Sequence, residues 1–500
     1  MQTGTVEGIQ GWKGSLLALL AGAMMPLAFA PFYFYPVAVL SLILLFVSWQ
    51  QITPKQAAWR GWLFGLGMFG VGVSWIFVAI HVFGQSGLFL ASLLTFLFVA
   101  FLALYLAVLG FVIKKLAPGQ FSVADFLLLL PVAWLGFELF KAWFLTGFPW
   151  LELGVSQIEG PLAGFVPIIG INGVSALLAL TAGCLLYGWQ NKSWQWLLPV
   201  LVIWSGGQGL KTIDWTQAVG EPIKTAIMQG NVPQHIKWNP EQLVNTLALY
   251  QKTTQAYWDH DLVVWPENAL PAFYHQLENF YLNPLQQLAL KNKTDILLGL
   301  PVQDDASEQY FNSMMLLGEE QGFYYKQHLV PFGDYVPFEW LRGLIAFFSL
   351  PMSSFAPGPL EQPLLEAAGN KVGISICYED VFSTEVLKTL PEATLLVNAT
   401  NNAWYGDSFA PHQHLQISRS RALETGRPLV RSTTNGISAF VDFKGRIHSE
   451  TPQFEQAVLT HQVQPRKGET PYVTWQRWPI WLLSLFMLLL WAYYRQKNSG

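Results

Sequence analysis

Cys377 follows a short apolar run, Val372-Gly373-Ile374-Ser375-Ile376, and precedes Tyr378-Glu379-Asp380. It is one of two cysteines in 500 residues, and the other, Cys184, lies in a long apolar stretch. The polar part of the chain therefore carries one thiol and no internal disulfide partner. A lone thiol at the end of a buried strand, beside a carboxylate, is a candidate nucleophile. Two other residues share that placement. Glu267 stands in Val264-Trp265-Pro266-Glu267-Asn268, where Pro266 stops a strand and aims the next residue into a loop. Lys326 stands in Tyr324-Tyr325-Lys326-Gln327-His328-Leu329-Val330-Pro331-Phe332-Gly333-Asp334. Singly, each has a plainer reading: a core thiol, a surface carboxylate, a solvated lysine. As a set they make coherent chemistry. A thiol with an ordinary pKa of about 8.5 is mostly protonated near neutrality. Glu267 can take that proton during attack, while Lys326 holds the thiolate and then the oxyanion of a tetrahedral intermediate. The backbone N–H of Tyr378 is a second candidate oxyanion donor, and Asp334 and Glu379 are candidates to neutralise and orient Lys326.

The elements that must position these groups read as an α/β layered domain. Strand-like runs occur at Thr225–Gln229, Asp261–Val264, Asp295–Leu300, Asn312–Leu317, Val372–Ile376, Thr394–Val397, Leu429–Ser432 and Ser438–Asp442. They alternate with helical stretches at Pro240–Tyr257, Leu277–Lys291 and His412–Thr425. All three candidate residues sit just past strand ends, where ligand sites in α/β domains gather.

The rest of the chain is of another kind. It is 52% hydrophobic and 12% charged overall, about half the charge of a soluble domain. The apolar residues dominate 1–210, thin out over 220–470 and return at 479–494. This predicts a transmembrane bundle of about seven helices, a catalytic domain and a closing transmembrane helix. The expected spans are 15–30, 34–49, 57–80, 88–113, 123–140, 163–188, 194–208 and 479–494. The first has a lysine, an apolar run and Ala28-Phe29-Ala30, but Pro31 follows that site, so it reads as an uncleaved helix. Lys13, Lys55, Arg60, Lys114, Lys115, Lys192, Arg495 and Lys497 fall on one face of such a bundle, which places both termini in the cytoplasm and the catalytic domain on the opposite, periplasmic side. Trp49 and Trp491 read as interface anchors, and Cys184 as packing. No basic run points to nucleic acid.

The order Glu, Lys, Cys, carried by Trp-Pro-Glu, Lys-x₄-Pro-Phe-Gly and Cys-Tyr-Glu, resembles the nitrilase superfamily, whose fold is an α-β-β-α sandwich. With the bundle in front and one helix behind, nearly the whole chain resembles the bacterial apolipoprotein N-acyltransferases. Gln229-Gly230-Asn231-Val232-Pro233-Gln234-x₃-Trp238 and Leu350-Pro351-Met352-Ser353-Ser354-Phe355 fit that family more narrowly. The resemblance implies Glu267 as general base, Lys326 as oxyanion stabiliser and Cys377 as nucleophile, supported by Trp238, Asp334, Tyr378 and Glu379, with no cofactor and no metal. Asp334 is a departure: the family usually carries Glu there, so the charge is kept on a side chain one methylene shorter. The implied reaction moves an acyl chain from a phospholipid to Cys377 as a thioester, then to the α-amino group of a diacylglyceryl-cysteine at an apolipoprotein's N-terminus, in the bacterial inner membrane.

Bringing an acyl chain of about 15 methylenes into water would cost roughly 12 kcal/mol, at about 0.8 per methylene. A domain tethered at both ends to a membrane bundle avoids that cost. The apolar segment 344–355 reads as an arm toward lipid, with Phe347, Phe348, Met352 and Phe355 as its access residues; the plainer reading is a core helix. A membrane-tethered nitrilase-type amidase would use the same triad but leaves the spans and the arm without purpose. A transporter or receptor would need intramembrane charge, and the spans hold few ionisable residues, Glu138 among them. His412 and His414 do not share a helix face, so they read as surface or supporting residues rather than metal ligands.

Overall fold

The computed structural model describes residues 9, 11–304, 307–336 and 354–497. The chain divides into two compact units. One holds the described residues through Phe77, Leu88–Ile213 and those from Thr474 onward; the other holds Val78–Gly87 and Asp214–Val473.

The first unit is helical. Among the described residues, four helices are long and apolar enough to cross a membrane: Gly11–Ala28, Leu88–Leu116, Pro161–Gln190 and Trp478–Lys497. Pro54–Gly72 with Ile76–Phe83, bent by 61°, makes a fifth if the pair is one span. The remaining expected spans fall on shorter helices, Pro36–Ser48, Leu130–Lys141 and Leu197–Leu210. Helices pack closely through small residues: a Cβ on Gly61 would stand 2.2 Å from the carbonyl oxygen of Leu106, and one on Gly65 2.6 Å from the Cα of Ala103. Glu138 is fully buried and accepts from Trp134 Nε1 at 2.9 Å and from the Leu153 N–H at 2.8 Å. Cys184 is buried, as its packing role requires. Trp49, read from sequence as an interface anchor, is instead fully buried against Phe46.

Among the described residues the second unit carries fourteen strands, named in chain order. They are β1 (Gln217–Ala218), β2 (Ile223–Gln229), β3 (Leu262–Val264), β4 (Asp295–Gln303), β5 (Tyr310–Leu317), β6 (Gly322–Tyr325) and β7 (Leu365–Ala367). Then follow β8 (Asn370–Ile376), β9 (Leu395–Thr400), β10 (Leu429–Thr433), β11 (Ala439–Val441), β12 (Ile447–Glu450), β13 (Ala457–Val463) and β14 (Arg466–Lys467). One six-stranded sheet has the order β13-β2-β3-β4-β5-β6, a second the order β12-β11-β10-β9-β8-β7, and β1 pairs with β14. In each large sheet three central strands are parallel, β2-β3-β4 and β8-β9-β10, and the flanking strands are antiparallel. Parallel strands covered on both faces need apolar side chains on both, which is why Leu262-Val263-Val264 runs without alternation.

Ile227, Val264, Leu297 and Met314 of the first sheet form one core with Val372, Ile374, Val397 and Val430 of the second. Helices Pro240–Gln255 and Asn283–Asn292 cover the outer face of the first sheet through Leu247, Tyr250, Leu285 and Ala289. Helix Phe409–Thr425 covers the second through Leu415 and Ala422. The layers are therefore helix, sheet, sheet, helix. Within this unit the segment 78–87 sets Phe83 edge-on to Trp404, ring centres 5.9 Å apart.

Candidate active site

The strand ends bring four sequence-predicted residues together. Glu267 leaves the end of β3 behind Pro266. Its loop lies so close to β4 that a Cβ on Gly299 would meet the Pro266 oxygen at 2.4 Å, the Asn268 nitrogen at 2.5 Å and the Glu267 Cα at 2.9 Å. Lys326 follows β6, held by its N–H donating to the Asn312 carbonyl at 2.8 Å. Asn312, on β5, also donates from Nδ2 to Glu267 Oε1 at 2.7 Å. The Lys326 ammonium lies 3.4 Å from that same oxygen and 2.7 Å from Asp334 Oδ2. Asp334 reaches it despite its short side chain because residues 330–334 turn tightly: the Asp334 N–H donates to the Val330 carbonyl at 2.8 Å, and the Val330 N–H returns to Asp334 Oδ2 at 2.7 Å.

Cys377 begins a short 3₁₀ turn, Cys377–Val381, directly after β8. Its φ is +52°, in the left-handed region that costs a side-chain-bearing residue about 1–2 kcal/mol. Such strain persists where the surroundings over-determine it, and here they do. Asn398 Nδ2 donates to the Cys377 carbonyl at 3.4 Å and to Ser375 Oγ at 3.1 Å. Asn398 is itself held by Arg431, which also reaches Ser418 Oγ at 2.8 Å, Asn402 Oδ1 at 3.2 Å and Asp380 Oδ2 at 3.4 Å. Asp380 Oδ1 accepts from His414 Nε2 at 2.8 Å, which fixes the proton on that nitrogen.

The electrostatics follow from burial and neighbours. Burial works against the Lys326 charge, but Asp334, Glu267 and Cys377 outweigh it and hold the ammonium protonated well above its ordinary range. Burial, then the Glu267 charge, push the Cys377 thiol up to about 12, against the pull of Lys326. The resting nucleophile is a thiol, so its proton has to leave during attack. Burial and the adjacent Arg431 lower the proton affinity of His414, against the pull of Asp380.

Glu379 does something other than orient Lys326 directly. Its Oε1 accepts from the main-chain N–H groups of Gln327 at 2.6 Å and His328 at 3.1 Å, and its Oε2 from Ile376 N–H at 2.7 Å and Tyr324 OH at 3.0 Å. It staples the segment after Lys326 to the strand before Cys377. Burial pushes this carboxyl up to about 7, against those donors. Tyr378 is partly exposed, its ring 5.9 Å from His328 and 5.1 Å from Phe382. Trp238 closes the short helix Gln234–Lys237 and is partly exposed. Phe355 is buried, edge-on to Tyr310, with its N–H on the Asp334 carbonyl at 2.9 Å. Phe347, Phe348 and Met352 lie outside the described residues.

Sequence reasoning passed over several residues here. Asn312, Asn398 and Arg431 lie inside strands β5, β9 and β10, and no motif marks them. His414 is fully buried in a supporting role rather than on the surface, whereas His412 is partly buried against Gln453. The Tyr405 phenol feels the charges of Cys377, Lys326, Glu267 and Asp334. Lys237, neighbour of the singled-out Trp238, is buried with its ammonium 3.2 Å from the Glu267 carbonyl oxygen. The Gln229-Gly230-Asn231 motif is a clasp. Gln229 Oε1 accepts from Thr433, Ser438 and Thr451 at 3.1, 2.7 and 2.8 Å, and Asn231 N–H donates to the Thr434 carbonyl at 2.8 Å.

Known proteins match both parts of this chain. Residues 21–184 match the family model of the apolipoprotein N-acyltransferase N-terminal domain, and residues 224–472 that of carbon-nitrogen hydrolases. An apolipoprotein N-acyltransferase of Methylococcus capsulatus is 44% identical over 475 residues, 93% of each chain. One from Azotobacter vinelandii is 45% identical over 498 residues, covering 97% of this chain and 96% of its own. The crystal structure of Saccharomyces cerevisiae Nit3, a nitrilase-superfamily member, aligns with a TM-score of 0.37 and 19% identity over 53% of this chain and 97% of that one. With more than two residues in five shared along almost the full length of such relatives, this chain belongs to the apolipoprotein N-acyltransferase family.

Proposed function

We propose that this protein transfers an acyl chain from a phospholipid to the N-terminal α-amino group of a diacylglyceryl-cysteine, through a thioester on Cys377. Glu267 removes the Sγ proton as sulfur attacks the ester carbonyl carbon. Lys326 and the Tyr378 N–H bind the resulting oxyanion. Collapse breaks the bond to the glycerol oxygen, which takes the proton back from Glu267 and leaves as lysophospholipid. The amine of the apolipoprotein then attacks the thioester, Glu267 accepts its proton, the C–S bond breaks, and Glu267 returns that proton to the departing sulfur to regenerate the thiol. Asp334 keeps Lys326 charged, and Glu379 keeps its segment in register with Cys377. Trp238 flanks the acyl-transfer site, and Phe347, Phe348 and Met352 belong to an arm through which lipid reaches it, while Phe355, buried against Tyr310, serves as packing rather than as a lipid contact.

The same reading extends to the membrane. Residues 1–210 supply about seven spans and 479–494 an eighth, so that both termini are cytoplasmic and the catalytic domain, 220–470, faces the periplasm of the inner membrane. The observation that carries the mechanism is the meeting of a carboxylate, an ammonium and a thiol on strained backbone past the ends of β3, β6 and β8, with Lys326 within 3.4 Å of Glu267. Intact mass of the purified chain after exposure to phospholipid tests it. An acyl mass should appear on Cys377 and leave on addition of an amine-bearing diacylated lipopeptide, and Cys377→Ser should show neither. Transfer at the parent rate by Cys377→Ser refutes the thioester.

A further inference from the structure

Lys237 has no task in either step above. It is 1% exposed, and among the described residues its ammonium has one hydrogen-bond acceptor, the Glu267 main-chain carbonyl at 3.2 Å. A buried cation so sparsely satisfied is expensive, and an apolar side chain of similar volume would fill the space without that cost. Burial draws its pKa down to about 8, and the Glu267 charge opposes that fall. Packing therefore gives no reason for a charge at this position.

The groups facing Glu267 supply one. Asn312 donates to Oε1 from β5, and Lys326 lies 3.4 Å from the same oxygen. Asp334 takes the other side of that ammonium at 2.7 Å. The Cys377 thiol and the Tyr405 phenol both feel the Glu267 charge. One lysine thus serves two carboxylates, and it is called on again when the thiolate and the oxyanion form. Without Lys237 the set of Glu267, Asp334 and Lys326 holds one uncompensated negative charge in a buried site.

We propose that Lys237 is a positioning residue for the base: its ammonium fixes the Glu267 main chain and adds the counter-charge that Lys326, shared with Asp334, cannot supply. The proposal rests on Glu267 being the base. Removing a positive charge beside a carboxylate favours its protonated form, so the acid limb of the acylation profile moves to higher pH.

The test is single-turnover thioester formation, read by intact mass from pH 5 to 9, on the full chain in phospholipid-containing micelles. In Lys237→Met the acid limb should rise by about one pH unit, with about a tenfold lower rate below it, while half-saturation by phospholipid changes less than about twofold. Lys237→Gln, which keeps a donor for the carbonyl but no charge, should shift equally, and it carries the test alone if the Met variant does not fold. An unmoved limb, or a shift in Met without one in Gln, overturns the proposal. Glu267→Gln, run alongside, separates the two ideas. If it acylates normally, the assignment of the base fails; if it is inactive while both Lys237 variants keep the parent profile, only the role of Lys237 fails.

Discussion

Gly299→Ala puts the position of the base to a quantitative test without touching a charged group. An alanine Cβ there would stand 2.4 Å from the Pro266 oxygen, 2.5 Å from the Asn268 nitrogen and 2.9 Å from the Glu267 Cα. These are main-chain atoms, so none can rotate aside. β4 is paired on both sides, to β3 and β5, and is the more fixed partner. The loop has to retreat by about 1 Å to restore ordinary contact, and overpacking of this kind costs about 1–3 kcal/mol of stability. Glu267 moves with its loop. Its 2.7 Å contact with Asn312 and its 3.4 Å approach to Lys326 both lengthen past hydrogen-bond range. A misplacement of about 1 Å in a reacting group costs on the order of 100-fold in rate. Single-turnover acylation of Cys377 by phospholipid, on protein whose folding is checked by thermal unfolding, reads that loss. Gly318→Ala is the control: its Cβ meets the Asp295 side chain at 1.7 Å, at the far end of the same strand pair, so it should lose stability but not acylation rate. A folded Gly299→Ala chain acylating within about threefold of the parent would refute the claim that the rate depends on this placement.

Asp334→Asn keeps an oxygen near Lys326 but removes its nearest counter-charge, and should slow thioester formation about tenfold or more; Asp334→Glu should stay within about tenfold of the parent, and full activity in the Asn variant would remove Asp334 from the charge network. Glu379→Gln replaces one carboxylate oxygen, an acceptor for main-chain N–H groups, by an amide donor, leaving a buried N–H unpaired, and should cost about 1–3 kcal/mol by denaturant unfolding; unchanged stability would contradict the stapling role. Because burial and Glu267 hold Cys377 as a thiol, its alkylation by iodoacetamide should keep rising from pH 6 through 9. A plateau reached near pH 7 would mean a preformed thiolate.

Much of the catalytic unit was legible because its central strands are apolar on both faces. Leu262–Val264 and Val372–Ile376 announce themselves, and Glu267 and Cys377 lie just past them, whereas Lys326 follows the half-buried edge strand β6. Edge strands carry no such signal. β6, β12 and β13 are half-buried or mixed, and β1, β7 and β14 are two or three residues long. Helix Phe409–Thr425 was legible as a helix, but its burial was not, since Gln413, His414, Gln416, Arg421 and Glu424 are polar. His414 and Ser418 are satisfied by Asp380 and Glu424 by Ser383, partners distant in sequence, and no local pattern encodes that. Glu379 was legible as a supporting carboxylate, but three of its four hydrogen-bond donors are main-chain N–H groups, whose placement depends on the tertiary fold. The membrane part was legible by hydropathy, whereas its buried Trp49 shows that an aromatic near a span end says nothing by itself about which way the ring faces.

The pairing of β2 with β13 has a consequence for how the protein is made. β2 is the first strand of the first sheet to be synthesised, and β13 is the last, after every strand of the second sheet. Throughout the interval, one side of β2 has unpaired main-chain groups, the kind of open edge that invites association with other chains. Gln229 at its end likewise waits for Thr433, Ser438 and Thr451. A nascent chain that already contains Glu267, Lys326, Asp334 and Cys377 therefore lacks a closed sheet to hold them. Premature stops before Val463 should consequently act as folding defects, producing a species for proteases rather than a slow enzyme, although the whole catalytic set lies upstream of the break.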